Sequence, residues 1–539
     1  MSLLDVDGLT IAYDGTPAVD DLSLSIAPGE SVGLVGESGS GKTQTALALF
    51  GLLPASAALG GTITLGGEGI LDNGRPMPER ELNRLRARRI GMVFQDPALA
   101  LNPYVRVGRQ LQHIAITHGV ADAKSAPGTV VAALGRAGLP NPERQARAYP
   151  HQLSGGMRQR AMIAAALMAG PDLLVADEPT TALDVTVQAQ ILEMLAEIRE
   201  QTALLLITHD LGIVAGHCER LLVLEKGKKI EEGATRDVFA SPAEPHTRAL
   251  LDARPRLDAE PPPALPDGGT LLAIEGLKVS YREPGRGHLH AVNGVDLELK
   301  KAETVAIVGE SGSGKTSLVR AALGLVPPAA GQVTYLGKAL PRSLKRRDRQ
   351  TLRELQLVFQ DPVGSLNPQH TVARIVAEPL NTHAPSSARA DLEEHVAEAL
   401  YRVGLDPSYM RRYPHELSGG QAQRVAIARA LINTPTVLVC DEAVAALDGT
   451  VRRQILELLR DEQLRTGLSI LFIAHDLAVV RSIAHRVLVM REGNPVEIAA
   501  NEALFEAPSH PYTQALLAAV PTLDVANERE QPGIGGEPA

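Results

Sequence analysis

Gly36–Thr43 reads GESGSGKT, and Gly309–Thr316 reads GESGSGKT again. Each copy fits G-x-x-x-x-G-K-[ST] without a mismatch. Each follows an apolar run, Ser31–Val35 (SVGLV) or Thr304–Val308 (TVAIV), and each opens a segment of helical character, Lys42–Leu53 or Lys315–Leu325. Strand, glycine-rich loop and helix in that order are the context that gives the motif its meaning. Gly36, Gly39 and Gly41, with Ser38 between them, let backbone N–H groups close on phosphate oxygens, as do Gly309, Gly312, Gly314 and Ser311. The helix that follows adds the positive end of its dipole. Lys42 and Lys315 can reach the outer phosphates, and the hydroxyls of Thr43 and Thr316 can ligate Mg²⁺. Two identical loops in matching contexts predict two sites for a nucleoside triphosphate.

Working outward, further landmarks recur at nearly constant spacing. Phe94-Gln95-Asp96-Pro97 returns as Phe359-Gln360-Asp361-Pro362 (360 − 95 = 265). Leu153-Ser154-Gly155-Gly156 returns as Leu417-Ser418-Gly419-Gly420 (418 − 154 = 264). Asp177-Glu178 returns as Asp441-Glu442 (441 − 177 = 264), and His209-Asp210 as His475-Asp476 (475 − 209 = 266). The loop lysines lie further apart (315 − 42 = 273), which places extra length in the second copy at Glu283–His290, EPGRGHLH, as a hairpin tip. The expected organisation is residues 1–253 as one nucleotide-binding domain with a C-terminal extension, 254–269 as a Pro-rich linker, 270–523 as the second such domain, and 524–539 as a disordered tail. In each copy Val/Ile/Leu runs alternate with helical segments, so an α/β domain with a largely parallel, buried sheet is expected, with a helical insert between FQDP and LSGG.

The repeated carboxylates follow the apolar runs Leu173–Ala176 and Val437–Cys440, where ligands of open α/β sheets bind. Asp177 and Asp441 are expected to hold Mg²⁺, and Glu178 and Glu442 to polarise the attacking water. A lone Asp-Glu after an apolar run is ordinarily a solvated loop; the upstream phosphate loop in both copies favours catalysis. His209 and His475 end further apolar runs and are expected to contact the γ-phosphate. Gln95 and Gln360 can touch Mg²⁺ or water at the start of a mobile loop. The Ser-Gly-Gly groups at Ser154, Gly155, Gly156 and Ser418, Gly419, Gly420 open helices and form a second anion site. A domain with its own phosphate loop does not need that second site for its own nucleotide; it makes sense as completing the other domain's.

Composition fits this reading. At 539 residues more than one core is expected. The formal charge, 53 − 63 = −10, argues against a general nucleic-acid coat. Basic clusters at Arg84, Arg86, Arg88 and Arg89 and at Lys345, Arg346, Arg347 and Arg349 read as solvated faces, with contact to lipid headgroups as the sharper alternative. Cys218 and Cys440 make no disulfide framework, zinc site or iron–sulfur set. No signal peptide and no run of about 18 apolar residues is expected, which points to the cytoplasm.

This motif set resembles the ATP-binding cassette (ABC) ATPases, over nearly the whole chain and twice. The resemblance implies two tandem P-loop NTPase domains, each a RecA-like α/β core with a helical subdomain and an antiparallel β-subdomain. Gly36–Thr43 and Gly309–Thr316 match Walker A, Gln95 and Gln360 the Q-loop, and LSGGM (Leu153–Met157) and LSGGQ (Leu417–Gln421) the signature. Asp177/Glu178 and Asp441/Glu442 match Walker B and its glutamate. Ala182–Asp184 and Ala446–Asp448 match the D-loop, with Asp184 and Asp448 in the nucleotide site, and His209 and His475 the switch histidine. Tyr13 and Tyr281 match the aromatic that stacks on adenine; the bland alternative is core packing. The family pairs two cassettes head to tail, so the resemblance implies intramolecular pairing, with Lys42 facing Ser418 and Lys315 facing Ser154 across bound ATP. It also implies two integral-membrane permease subunits, an extracytoplasmic substrate-binding (lipo)protein, no nucleic acid, and a peripheral place on the cytoplasmic face of the cell membrane.

Ser509–Pro521, SHPYTQALLAAVP, and FQDPVGSLNP resemble the oligopeptide/dipeptide and nickel importer ATPases. The first copy of that extension departs, with Glu244-Pro245-His246-Thr247 lacking the tyrosine. The signature of repeat one ends in Met157, and repeat two reads DEAVAALD with Ala443 and Val444 in place of Pro-Thr. Two competent sites are expected, with equal and unequal rates both open. Three other readings compete. A ribosome-acting twin cassette would have a long charged linker, a tandem sugar importer would have one degenerate site, and a DNA-repair cassette would have zinc cysteines.

Overall fold

The structure is a computed structural model that describes residues 2–181, 183–198, 202–263, 268–283, 287–383, 391–445 and 447–520. Expectations for residues 264–267 of the linker, for the hairpin tip at 284–286, for the tail, and for Ala182 and Ala446 fall outside them. Among the described residues two compact units emerge, one within residues 1–183 and 187–254 and one within 184–186 and 255–520.

In the first unit a six-stranded sheet has the order Lys228–Ala234, Arg220–Glu225, Ser31–Gly36, Ala203–Ile207, Leu173–Asp177, Ile90–Val93. All neighbours are parallel except the Lys228–Ala234 edge. These strands read as unbroken apolar runs because both faces are buried. Val32, Leu34, Val175, Leu205 and Ile207 face one core, shared with an antiparallel sheet that includes Leu4–Tyr13, Thr16–Ile26 and Ala58–Leu65. Their neighbours Val35, Leu174, Ala176, Leu204 and Leu206 face a second core of helices. The segment after the Gln95 loop forms the helices Val107–Thr117, Ala126–Arg136 and Pro142–Arg147, with a core of its own.

The second unit repeats this plan. Its six-stranded sheet runs Leu355–Val358, Val437–Asp441, Ser469–Ile473, Thr304–Val308, Arg486–Arg491, Asn494–Ala500, again with one antiparallel edge. Val305, Ile307, Val439 and Leu471 face one core, and Ala306, Val308, Leu438 and Phe472 the other. Cys440 lies in the second core with its thiol pushed up to about 12 by burial, which makes it the inert small hydrophobe its setting suggests. The extra length of repeat two is a longer hairpin, Thr270–Glu283 paired with Gly287–Lys300, at the place the offsets indicate.

The phosphate-loop helices are shorter than their sequence suggests. They span Lys42–Leu49 and Lys315–Ala322, because Gly51 (φ 58°) and Gly324 (φ 74°) enter the left-handed region and close each helix. Leu52 N–H then donates to Leu47 C=O at 2.9 Å, and Leu325 N–H to Arg320 C=O at 2.8 Å. The basic clusters are only partly free faces. Arg86 donates to Phe50 C=O (2.7 Å) and the buried Arg347 to Ala322 C=O (2.7 Å), so each caps the C-terminal end of a phosphate-loop helix. Arg88 binds His118 C=O, and Arg89 pairs with Asp172.

Candidate nucleotide-hydrolysis sites

Three adjacent parallel strands in each unit end on the same side and carry the chemistry. In the first unit Ser31–Gly36 leads into the phosphate loop, Leu173–Asp177 ends on the carboxylates, and Ala203–Ile207 ends two residues before His209. The second unit matches with Thr304–Val308, Val437–Asp441 and Ser469–Ile473.

The loops need glycine for stated reasons. Gly41 (φ 100°) and Gly314 (φ 101°) immediately precede the helices, and a Cβ there would stand 2.6 Å from Ala18 C=O or 2.2 Å from Ala291 C=O. Lys42 Nζ arches over its own loop to Gly36 C=O (2.7 Å) and Glu37 C=O (2.9 Å). Lys315 Nζ does the same with Gly309 C=O and Glu310 C=O, both at 2.8 Å. Both lysines are buried, and burial lowers Lys315 from 10.5 to about 8. Such ammonium groups, held by loop carbonyls and by the hydroxyls of Ser40 and Ser313 at 3.5 Å, can transfer to phosphate oxygens.

The paired carboxylates are driven apart. Burial raises Asp177 from the ordinary 3.8 to about 6, against a hydrogen bond from Thr43 and with the Glu178 charge adding to the rise. Asp441 is raised for the same first reason, while Thr316 donates to its Oδ1 at 2.9 Å. Asp177 Oδ1 and Asp441 Oδ2 are buried without a hydrogen-bond partner, with the Arg320 guanidinium 4.0 Å from Asp441 Oδ2. A buried carboxylate oxygen with no donor, beside a threonine hydroxyl, suits a hard cation with oxygen ligands, so Mg²⁺ fits Asp177 with Thr43 and Asp441 with Thr316.

The neighbouring glutamates behave oppositely. Glu178 (φ 47°) and Glu442 (φ 52°) sit in the left-handed region, a costly backbone state for a non-glycine residue and one that clusters at functional sites. Burial opposes ionisation of Glu178, but the hydrogen bond and charge of His209, the Thr181 hydroxyl and Lys42 outweigh it and bring the carboxyl to about 2. Its oxygens meet His209 Nδ1 at 3.2 Å, Gln95 Nε2 at 3.1 Å and Thr181 Oγ1 at 2.9 Å. Glu442 is likewise lowered, burial being outweighed by His475, Lys315 and Gln360. Gln360 Nε2 reaches it at 2.5 Å, and the histidine contact is made through Nε2 of His475 rather than Nδ1. Gln95 and Gln360 reach the glutamates through their amide nitrogens, the donor end of the side chain.

Thr181 escaped the sequence reading. It lies three residues after Glu178, and Ala445 holds the matching place in repeat two. Also unread were Gln44 and Ser317, each two residues past the loop lysine. Gln44 accepts from the Tyr13 hydroxyl at 2.6 Å, and Ser317 from that of Tyr281 at 3.2 Å. These bonds fix the two tyrosines beside the phosphate-loop helices, with Tyr281 37% exposed.

Ser154 and Ser418 are the N-caps of Gly155–Leu167 and Gly419–Leu431, each accepting an N–H bond at 3.3 Å. Gln421 completes a capping box by accepting from Ser418 N–H at 3.0 Å and also donates to the Tyr409 hydroxyl, whereas Met157 has no polar group to do either. Asp448 caps Gly449–Thr466 through Val451 N–H at 2.9 Å, and Asp184 accepts from the Thr186 hydroxyl at 2.7 Å.

The family described as ABC transporter matches residues 19–181 and 292–445. The chain belongs to this family and is an ATP-hydrolysing subunit of its importers. Within it, residues 230–270 and 496–539 match the oligopeptide/dipeptide transporter C-terminal region. The peptidoglycan transport ATP-binding protein YejF of Agrobacterium fabrum is 43% identical over 531 residues, covering 96% of each chain. The glutathione import ATP-binding proteins GsiA of Pectobacterium atrosepticum and Escherichia coli are 42% and 40% identical, over 98% of this chain and 91% of theirs.

Proposed function

We propose that this chain couples ATP hydrolysis at two sites to uptake of di- or oligopeptides or related solutes through separate permease subunits. The doubled constellation carries this reading: in each unit a lysine-bearing phosphate loop, an aspartate with an unsatisfied buried oxygen, and a strained, ionised glutamate held by glutamine and histidine. Residues 1–253 and 270–523 act as the two cassettes, joined by 254–269 and followed by a tail at 524–539.

Lys42 and Lys315 exchange their loop carbonyls for phosphate oxygens. Thr43 with Asp177, and Thr316 with Asp441, hold Mg²⁺, which when bound offsets phosphate charge. Ionised Glu178 and Glu442 accept a hydrogen bond from the attacking water, and His209 and His475 orient those carboxylates while presenting a ring nitrogen toward the γ-phosphate. Tyr13 and Tyr281 stack on adenine. Ser154-Gly155-Gly156 and Ser418-Gly419-Gly420, with Asp184 and Asp448, complete the nucleotide site of the opposite cassette. Fusion of the two cassettes in one chain raises their effective concentration.

No helix among the described residues is long and apolar enough to cross a membrane. In this reading the chain works peripherally, at the inner face of the cell membrane, on two permeases served by an extracytoplasmic binding protein. Affinity purification from detergent-solubilised native membranes, followed by mass spectrometry, tests this. Two multi-span permeases support it; ribosomal proteins, or no membrane protein, overturn the transport reading.

A further inference from the structure

The C-terminal extensions of the two units end in matching helices, Pro245–Asp252 and Pro511–Ala518. A glutamate on the edge strand anchors the start of each. Glu231 accepts from Ala243 and Glu244 N–H at 2.7 and 3.2 Å, and Glu497 from Ser509 and His510 N–H at 2.9 and 3.1 Å. Beyond that shared anchor the copies part. Tyr512, 7% exposed, lies under the Arg491 guanidinium at 5.0 Å, and its hydroxyl accepts the Glu310 backbone N–H at 3.1 Å. Glu310 is the second residue of the second phosphate loop, and its carbonyl is one of the two that hold Lys315. Repeat one has His246 in place of Tyr512 and Glu225 in place of Arg491. His246 Nδ1 stands 3.9 Å from Glu225, and its Nε2 is buried without a hydrogen-bond partner. Ring and charge have been exchanged together, and the bond to the loop exists in one copy only.

We propose that Tyr512 is a positioning residue that fixes the ascending limb of the second phosphate loop and so raises the ATP affinity of that site alone, making the second extension part of the nucleotide-binding apparatus. The bond to Glu310 N–H fixes the Gly309–Glu310 peptide, whose carbonyl restrains Lys315 at 2.8 Å. Holding the loop in its binding conformation before ATP arrives removes an ordering cost from binding. The first site, which lacks the bond, meets that cost in full. This inference rests on the assignment of the phosphate loops as ATP sites.

Titration of the full chain with the fluorescent analogue trinitrophenyl-ATP tests it, with Lys42→Ala or Lys315→Ala leaving one loop at a time. Loss of one neutral hydrogen bond corresponds to about a three- to tenfold change. Tyr512→Phe in the Lys42→Ala chain is therefore expected to raise Kd by that factor, and to raise KM for ATP while kcat at saturation and Tm hold. In the Lys315→Ala chain Tyr512→Phe, like His246→Phe, leaves Kd unchanged. An unchanged Kd at the second loop, an equal change at both loops, or a fall in Tm with no split between KM and kcat overturns the proposal. A Lys42→Ala/Lys315→Ala chain that still binds the analogue overturns the underlying loop assignment instead.

Discussion

The two units share a fold, a strand order and a set of site residues, yet their glutamates are held differently. Glu178 has three side-chain partners, Gln95, Thr181 and His209; Glu442 has two, Gln360 and His475, because Ala445 stands where Thr181 would. The signature helices differ in the opposite sense, with a full capping box at Ser418 and half of one at Ser154. The phosphate loops differ again, the second being tied to its extension by Tyr512. Duplication has kept the motif residues and varied the groups that hold them. Positioning is where two sites in one chain can become unequal without either losing its chemistry.

The hardest test of equivalence is removal of each glutamate. Glu178→Gln and Glu442→Gln keep the shape of the carboxylate and remove its charge. Each should slow hydrolysis at its own site by at least about 100-fold and trap ATP there. Single-turnover hydrolysis with radiolabelled ATP reads this site by site. Full turnover in both single variants would remove these residues from the chemistry.

Asp177 offers a sharper probe of the first unit through pH. Its carboxyl is raised from 3.8 to about 6, so the folded protein holds that proton more tightly than the unfolded chain. The resulting stability is fully present below about pH 4 and is lost as pH rises through about 6. The window corresponds to roughly 2–3 kcal/mol at most. Asp177→Asn should remove this dependence, gaining stability relative to wild type between pH 4 and 7 in metal- and nucleotide-free buffer while abolishing hydrolysis at the first site. Denaturant midpoints that stay parallel across that range would show that Asp177 is not held at such a cost.

Thr181 and Ala445 set the next scale. Thr181→Ala removes one hydrogen bond to an ionised carboxylate and should lower the rate at the first site about five- to tenfold. Ala445→Thr should narrow the difference between the sites from the other side. Equal effects of Thr181→Ala on both sites, each isolated by its loop-lysine variant, would refute a local clamp.

The smallest effect belongs to the signature caps. Met157→Gln supplies the missing half of the capping box and should stabilise the first unit by about 0.5–1 kcal/mol, with Gln421→Met costing the second a similar amount. Calorimetry that showed Gln421→Met without cost would mean the Gln421 bonds to Ser418 and Tyr409 contribute nothing net.

Much of the fold was legible because its signals are local and doubled. Apolar runs flanked by Gly-rich loops marked buried parallel strands, and the constant offsets marked the repeat. The candidate site residues could be named where the chemistry is tied to a short motif, as with Lys42, Asp177, Glu178 and His209. Thr181, Gln44 and Ser317 lie next to motifs but belong to none, so nothing in the sequence set them apart. The ends of the phosphate-loop helices were overestimated, because apolar residues continue past Gly51 and Gly324 while the backbone turns left-handed there.

By itself the sequence determined that two phosphate loops, two carboxylate pairs and two signatures exist, because each is a contiguous pattern read by the backbone within a few residues. Tertiary structure alone decided which carboxyl of each pair is raised and which lowered. That depends on burial and on partners some 30 to 135 residues distant: Gln95 and His209 for Glu178, Thr43 for Asp177. It also decided that Tyr512 reaches Glu310, 202 residues away along the chain, while His246 makes no such bond. Covalent neighbours set the local conformation; the proton affinity of a buried group is set by whatever the folded chain brings within a few ångströms of it.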